Sequence, residues 1–203
     1  MDMSIRYSKL EGFALKPTLF FEFHGSPASV REQAEAMQQI SDEFGGSAYQ
    51  WATQAEDRSR LWKARHAAYY AALAYKPGMT GFATDACVPI SRLADCILET
   101  KKDVEASGLI APILGHVGDG NFHLVILFDG STADQRERAD ALAHSVSLRA
   151  IAMGGTCTGE HGIGWHKLDV LAQEHGEAVD LMRAVKRAMD PDNIMNPGKT
   201  VPL

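Results

Sequence analysis

One hairpin organises this chain, and its sequence reads Gly115-His116-Val117-Gly118-Asp119-Gly120-Asn121-Phe122-His123. Apolar runs lie on either side of it, at 110–114 and 124–128. Asp119-Gly120 between such runs is a strong signal for a two-residue type I′ turn, because that turn needs positive φ at both central positions. We therefore predict strands over 110–116 and 121–128, joined at Asp119-Gly120.

This turn determines which residues face each other across the hairpin. With a two-residue loop, Val117 lies opposite Phe122 and His116 lies opposite His123. The Cβ atoms of such partners are ~4.5–5.5 Å apart on one face of the sheet, so the two imidazoles can share a metal ion. The alternative is that each is a hydrogen-bonded core histidine.

Outside the hairpin, the periodicity of apolar residues predicts further strands and helices. Strand patterns occupy 18–24, 47–52 and 82–90, and helical patterns occupy 27–44, 57–75, 92–106, 133–153, 167–174 and 177–189. This order predicts an α+β protein with a mostly antiparallel sheet, helices on one face and a C-terminal helical segment.

The composition is that of an ordinary globular protein. The 203 residues are 45% hydrophobic and 23% charged, and the formal net charge is −6. This acidic balance argues against nucleic-acid binding, and no apolar run approaches the roughly 18 residues that a membrane span requires. Three cysteines without a CxxC spacing indicate a reducing compartment, so we expect a cytoplasmic protein.

A second glycine-rich stretch carries a carboxylate and an imidazole. Five glycines fall within 154–164, where they allow close approach of the backbone to a ligand, and Glu160-His161 lies among them. Together with His116 and His123, Glu160 completes a set suited to Zn²⁺ or another divalent first-row metal. The alternative is a surface turn. The spacing is not that of a zincin protease, and neither stretch is a dinucleotide or Walker A motif.

Arg65 lies in the Ala-rich helical pattern, beside small residues. A guanidinium on such a face can bind a carboxylate through two hydrogen bonds. The alternative is a solvated or structurally paired arginine.

Five stretches, taken in order, resemble the C-terminal part of FAD-linked oxidases and dehydrogenases of 2-hydroxy acids. The likeness is strongest to the flavin-dependent D-lactate dehydrogenases, with glycolate and 2-hydroxyglutarate enzymes as relatives. The matching stretches are Leu61-Trp62-x-x-Arg65, Thr84-Asp85-x-Cys87-Val88-Pro89-Ile90-Ser91, the hairpin, 154–164 and Asn196-Pro197-Gly198-Lys199. The resemblance implies a ferredoxin-like cap domain over 17–203, preceded by an N-terminal extension over 1–16.

The resemblance also implies the roles of individual residues. The implied ligands of a Zn²⁺ or Mn²⁺ ion are His116, His123 and Glu160. The implied catalytic base is His161, and the implied substrate-binding residues are Arg65, Tyr69 and Asn121. The residues implied to contact FAD are Gly159, Glu160, Gly162, Asn196 and Lys199.

The activity implied by the resemblance is oxidation of D-lactate to pyruvate. Ala83 stands where 2-hydroxyglutarate enzymes have a lysine, and Tyr69 stands where they have a threonine, which favours a short 2-hydroxy acid. We expect the FAD-binding domain or subunit to be a separate partner, without which this chain is inactive. A homodimer and an electron acceptor of unidentified kind, located at the inner membrane, are further expected partners.

A second hypothesis comes from a different functional class. A His/His/Glu site with an arginine needs no flavin to bind a carboxylate. The chain could therefore be a stand-alone module that binds a metal or a small carboxylate without redox chemistry.

Overall fold

The computed structural model describes residues 1–201 and 203, without the side chain of Ala64. Pro202, which falls in the predicted domain 17–203, lies outside the described residues. Backbone contacts divide the chain into two units, Met1–Ala71 and Ala72–Leu203. Within the described ranges, no helix is both long and apolar enough to cross a membrane.

The first unit is helical. Its helices are α1 (Asp2–Ser8), α2 (Pro27–Glu43), α3 (Ala55–His66) and α4 (Ala68–Leu73), the last of which crosses the boundary between the units. Helix α2 begins as its sequence predicts, because the Ser26 side chain accepts a hydrogen bond from the Ser29 amide and proline occupies the first turn. The helix predicted over 57–75 is divided at Ala67, which caps α3.

The strands predicted at 18–24 and 47–52 are wrong. Both segments are fully described, and both are irregular. Their aromatic and β-branched composition favours strands, but a strand also needs a neighbour to satisfy its backbone. Neither segment pairs with another strand, and Leu19, Phe21 and Trp51 remain exposed.

The sheet lies in the second unit. Its strands are β1 (Thr80–Ala83), β2 (Ala86–Cys87), β3 (Ile113–His116) and β4 (Asn121–Phe128). Strand β4 is central: β1 and β2 follow one of its edges in a single antiparallel register, and β3 follows the other. The strand predicted over 82–90 is therefore interrupted at Thr84 and Asp85, which lie opposite Leu124 and His123 of β4.

One face of β4 packs against two long helices, α5 (Ile90–Ser107) and α6 (Ala133–Ala152). The β4 residues in this core are Phe122, Leu124, Ile126 and Phe128. Helices α7 (Leu168–His175) and α8 (Ala178–Met189) follow as the C-terminal helical segment. The predicted α+β class with a mostly antiparallel sheet is confirmed.

The predicted hairpin is confirmed, but its predicted register is wrong. Residues Val117–Asp119 form a 3₁₀ turn, and only Gly120 takes a positive φ, of 78°. The Gly120 amide donates to the Val117 carbonyl, so four residues rather than two connect the strands. His116 consequently pairs with Asn121, and Leu114 pairs with His123.

A buried aspartate fixes the start of the C-terminal tail. The Asp190 carboxylate accepts hydrogen bonds from the amides of Ile194 and Met195, at 3.0 and 2.9 Å, and from the Lys186 ammonium. The Lys186 hydrogen bond has the largest effect and lowers the pKa of Asp190. Burial opposes it, and the two amides lower the pKa further.

We expect the core to tolerate loss of a leucine side chain very differently at two sites. Leu124→Ala removes a fully buried β4 side chain and should lower the free energy of unfolding by roughly 2–5 kcal/mol. The matched control is Leu98→Ala, since Leu98 on α5 is 59% exposed, and its effect should stay within about 0.5 kcal/mol. Chemical denaturation measures both, and equal losses would contradict the assignment of the core.

The tail should loosen in acid. Because the pKa of Asp190 is lower in the folded chain, its contribution is complete above the unfolded value of about 3.9 and is lost as pH falls through the folded value. Amide exchange at Ile194 and Met195, expressed relative to the intrinsic rate at each pH, should therefore accelerate below about pH 4 in the wild type. In Asp190→Asn it should be fast already at neutral pH. Equal exchange in the two proteins at pH 7 would refute this capping role.

Candidate functional site

The second face of β4 carries the polar residues of the hairpin. Antiparallel partners share a face, and so do alternate residues of one strand, so the pairing of His116 with Asn121 keeps His116 on the face of His123. The two histidines are diagonal neighbours rather than direct partners. Diagonal Cβ atoms are roughly 7–8 Å apart, which long side chains can bridge through a third group.

The glycine-rich loop brings that third group to the hairpin. Thr156 and Cys87 exchange backbone hydrogen bonds of 3.2 and 2.8 Å, which attach the loop to the edge of β2. A Cβ at Gly155 would lie 2.1 Å from the Cys87 carbonyl oxygen, and a Cβ at Gly159 would lie 2.8 Å from the Asn121 amide carbon. Glycine is therefore required for the loop to approach the sheet this closely.

Glu160 contacts the histidines with a single carboxylate oxygen. Its Oε1 lies 2.9 Å from His123 Nε2, 4.0 Å from His116 Nε2 and 3.9 Å from His161 Nε2. His161 stacks on His123, with ring centroids 4.8 Å apart. The structure thus brings together His116, His123 and Glu160, and it places His161 beside them.

The hydrogen bonding of His123 indicates what belongs between it and Glu160. Its Nδ1 lies 2.9 Å from the Thr84 carbonyl oxygen, which can only accept, so Nδ1 carries a proton. In the neutral ring Nε2 then has a lone pair, and this lone pair faces a carboxylate oxygen at 2.9 Å. Two acceptors at this distance need a proton or a cation between them, so the residues fit a divalent metal.

Asp85 supports the loop from inside the protein. Its side chain is fully buried, and its Oδ2 accepts hydrogen bonds from Thr158 Oγ1, the Glu160 amide and the His161 amide, at 2.8, 2.9 and 2.8 Å. Burial raises the pKa of Asp85, but these hydrogen bonds and the Lys167 charge outweigh it, so the pKa is lowered.

Lys167 is the cation that faces Asp85. Its ammonium lies 3.8 Å from Asp85 Oδ2 and donates to the carbonyl oxygens of Asp85 and Cys157. Burial lowers the pKa of Lys167, against an opposing effect of Asp85. Sequence reasoning gave neither residue a role. The available signal was an aspartate within an otherwise apolar strand pattern, at Thr84-Asp85.

A different group of possible metal ligands uses Asp85, His123 and His161, whose ligand atoms lie within 4.8 Å of one another. This group is less suitable than the one around Glu160. Asp85 Oδ2 already accepts three hydrogen bonds. The other oxygen, Oδ1, faces His123 Nδ1 at 3.7 Å, and this nitrogen already donates to the Thr84 carbonyl.

The other predicted site residues fall into three places. Asn121 is buried against Gly159, and its Oδ1 has no hydrogen-bond partner among the described residues. Arg65 and Tyr69 lie in the first unit, on α3 and α4, and both are half-buried. Their predicted contact with substrate stays a prediction.

The residues predicted to contact FAD lie in the loop and the tail. Gly159 and Gly162 belong to the loop, and Gly162 has a positive φ of 80°. The tail with Asn196 and Lys199 returns to this loop, since the Thr200 amide donates to the Gly164 carbonyl at 2.8 Å. The Lys199 ammonium lies 5.0 Å from the centroid of a ring of Trp165. The flavin contacts themselves stay predictions.

Several curated proteins are similar to this chain. The probable D-lactate dehydrogenase, mitochondrial, of Danio rerio is 49% identical over 98% of this chain and 40% of its own length. The D-lactate dehydrogenase [cytochrome], mitochondrial, of Arabidopsis thaliana is 46% identical over 92% of this chain and 33% of its own length. The glycolate oxidase subunit GlcD of Bacillus subtilis (strain 168) is 34% identical over 91% of this chain and 39% of its own length. The chain thus spans two fifths or less of each relative.

Solved structures share the fold. The 4-ethylphenol oxidase from Gulosibacter chungangensis superposes with a TM-score of 0.62 at 15% identity, over 87% of this chain and 37% of that one. The p-cresol methylhydroxylase superposes with a TM-score of 0.58 at 20% identity, over 88% and 36%. The family model described as FAD linked oxidases, C-terminal domain, matches residues 8–200. With nearly the whole chain matched, the protein belongs to the family of FAD-linked oxidase C-terminal domains.

Proposed function

We propose that this chain is the substrate- and metal-binding part of an FAD-dependent D-2-hydroxy-acid dehydrogenase that oxidises D-lactate to pyruvate. The observation that carries the proposal is the position of Glu160 Oε1, within 4.0 Å of both hairpin imidazoles, in a chain of this family. The names of the Danio rerio and Arabidopsis thaliana relatives support D-lactate as the substrate.

The donor set would hold Zn²⁺ or Mn²⁺ through His116, His123 and Glu160. When bound, the cation supplies Lewis acidity at the substrate hydroxyl, and FAD supplies the acceptor for a hydride. His161 is beside this set and half-exposed, so its Nε2 is available to take the hydroxyl proton. D-lactate would lose the hydroxyl proton to His161 and a hydride, which carries both electrons, to FAD, and pyruvate would remain.

Arg65, Tyr69 and Asn121 are proposed to bind the substrate because of the chain's membership of this family. Arg65 would hold the substrate carboxylate by two charge-assisted hydrogen bonds, which orients one enantiomer. Ala83 in place of a lysine and Tyr69 in place of a threonine support a short substrate. Asn121, with its unpartnered buried oxygen, would face the substrate from β4.

The remaining partners are proposed from family membership alone. An FAD-binding domain or subunit would complete the active site, and a homodimer and a separate electron acceptor would accompany it. The cytoplasmic location stays a prediction, and the names of the two D-lactate dehydrogenase relatives include the word mitochondrial.

A stand-alone binding module is the second candidate function. The observation in its favour is that His116, His123 and Glu160 all belong to this chain, so metal binding needs no flavin. The two candidates differ in one respect: only the dehydrogenase passes electrons from D-lactate to FAD.

Metal binding should depend on the hairpin. His123→Ala removes the imidazole closest to Glu160 and should lower the affinity for Mn²⁺ or Zn²⁺ at least about 10-fold, as expected for loss of a ligand. The matched control is His144→Ala, since His144 on α6 contacts Asp169 instead, at 3.4 Å. Elemental analysis after dialysis measures both. If His123→Ala and wild type retain equal metal, the ligand assignment is wrong.

Substrate binding should depend on the guanidinium of Arg65. In an FAD-containing assembly that includes this chain, D-lactate should bleach the flavin spectrum. Arg65→Lys should raise KM by roughly 10–100-fold, because a charged hydrogen-bond pair contributes about 1.5–3 kcal/mol. The control is Arg60→Lys on the same helix, where Arg60 is exposed and pairs with Asp57. Absence of bleaching in the wild-type assembly would favour the binding module instead.

A further inference from the structure

We propose that Asp85 is the positioning residue of the metal site: one carboxylate fixes both the loop that carries Glu160 and His161 and the ring orientation of His123. The inference rests on the proposed metal-binding function, which it deepens. Lys167 completes the device as the counter-ion of Asp85.

One carboxylate oxygen of Asp85 holds the glycine-rich loop. Asp85 Oδ2 accepts from the main-chain amides of Glu160 and His161, so it fixes the backbone at the two residues that would bind metal and take the proton. Thr158 Oγ1 adds a third hydrogen bond just before them. A loop with five glycines has many accessible conformations, and three bonds to one buried acceptor select a single one.

The other carboxylate oxygen of Asp85 faces His123 on strand β4. Asp85 lies in the gap between β1 and β2, opposite His123, and its Oδ1 is 3.7 Å from His123 Nδ1. This oxygen is buried and has no hydrogen-bond partner among the described residues. Its negative charge beside Nδ1 favours the proton on Nδ1, where the Thr84 carbonyl accepts it, and so directs the Nε2 lone pair toward Glu160.

Lys167 makes the burial of Asp85 tolerable. Its ammonium offsets the carboxylate charge at 3.8 Å and ties the β1–β2 gap to the loop through the carbonyl oxygens of Asp85 and Cys157, at 3.0 and 2.6 Å. Because Lys167 offsets the charge of Asp85, the carboxylate charge that acts on a cation at His116 and His123 is that of Glu160.

Asp85→Asn tests the hydrogen bonds to the loop and the contact with His123 at once. An amide has one accepting oxygen, so it either keeps the loop bonds and turns its NH₂ toward His123, or keeps an oxygen at His123 and loses the loop bonds. The control is Asp103→Asn, which breaks an ion pair with Arg149 on the α5–α6 side. Lys167→Arg keeps the positive charge beside Asp85 and should keep the Mn²⁺ affinity of wild type, whereas Lys167→Met removes the charge and should lower this affinity.

Three measurements are made on the full 203-residue chain. Imidazole ¹⁵N shifts of metal-free protein report the His123 tautomer, hydrogen exchange reports the Glu160 and His161 amides, and Mn²⁺ titration reports affinity. Asp85→Asn should change the tautomer or speed exchange at least about 10-fold, and should weaken Mn²⁺ binding by about 10–100-fold. Asp103→Asn should leave all three within about twofold, since its bonds lie outside the site.

The results separate a positioning role of Asp85 from general destabilisation and from absence of metal binding. A folded Asp85→Asn that matches wild type in tautomer, exchange and Mn²⁺ affinity overturns the positioning role. A loss that Asp103→Asn shares equally overturns it too, because the effect is then general destabilisation. If wild type binds no Mn²⁺ or Zn²⁺, the proposed function fails, and the metal-free tautomer and exchange still test Asp85. If Asp85→Asn does not fold, Thr158→Val removes one loop bond, and exchange at Glu160 and His161 must then rise severalfold.

Discussion

Strand β4 has neighbours along both edges and is buried on both faces, and this double constraint determines where the rest of the second unit lies. Its backbone is satisfied by β3 on one side and by β1 and β2 on the other. Its even-numbered residues pack into the core under α5 and α6. Its first odd-numbered residues, Asn121 and His123, must therefore be covered by something polar, and the glycine-rich loop covers them.

Covering a polar face inside a protein creates an electrostatic cost. Asp85, His123 and Lys167 would each be destabilised by burial alone. They are tolerated because Lys167 offsets the charge of Asp85 and because each of the three forms hydrogen bonds with main-chain groups. A buried ion pair adds little net stability, and an apolar replacement of similar shape is often better by about 1–4 kcal/mol. The retention of this network beside Glu160 is thus better explained by positioning than by stability.

Sequence reasoning succeeded where a pattern depends only on local periodicity. Strand β4 occupies the predicted range 121–128. Helix α6 begins at the predicted residue 133 and ends at 152, one residue before the predicted end. The prediction failed where a second element decides the outcome. The segment 18–24 has the composition of a strand but no partner, and the hairpin loop has four residues because Asp119 enters a 3₁₀ turn. Neither result is encoded in propensity.

The predicted metal ligands nevertheless came together in spite of the wrong register, for a geometric reason. The error in pairing was two residues, and side chains alternate with a period of two, so His116 and His123 stayed on one face. An error of one residue would have separated them. Asp85 could not be assigned a role in the same way, because its partners are Thr158, Glu160 and His161, far along the chain. Local pattern identifies residues that can bind a metal, whereas long-range pairing decides which groups hold them in place.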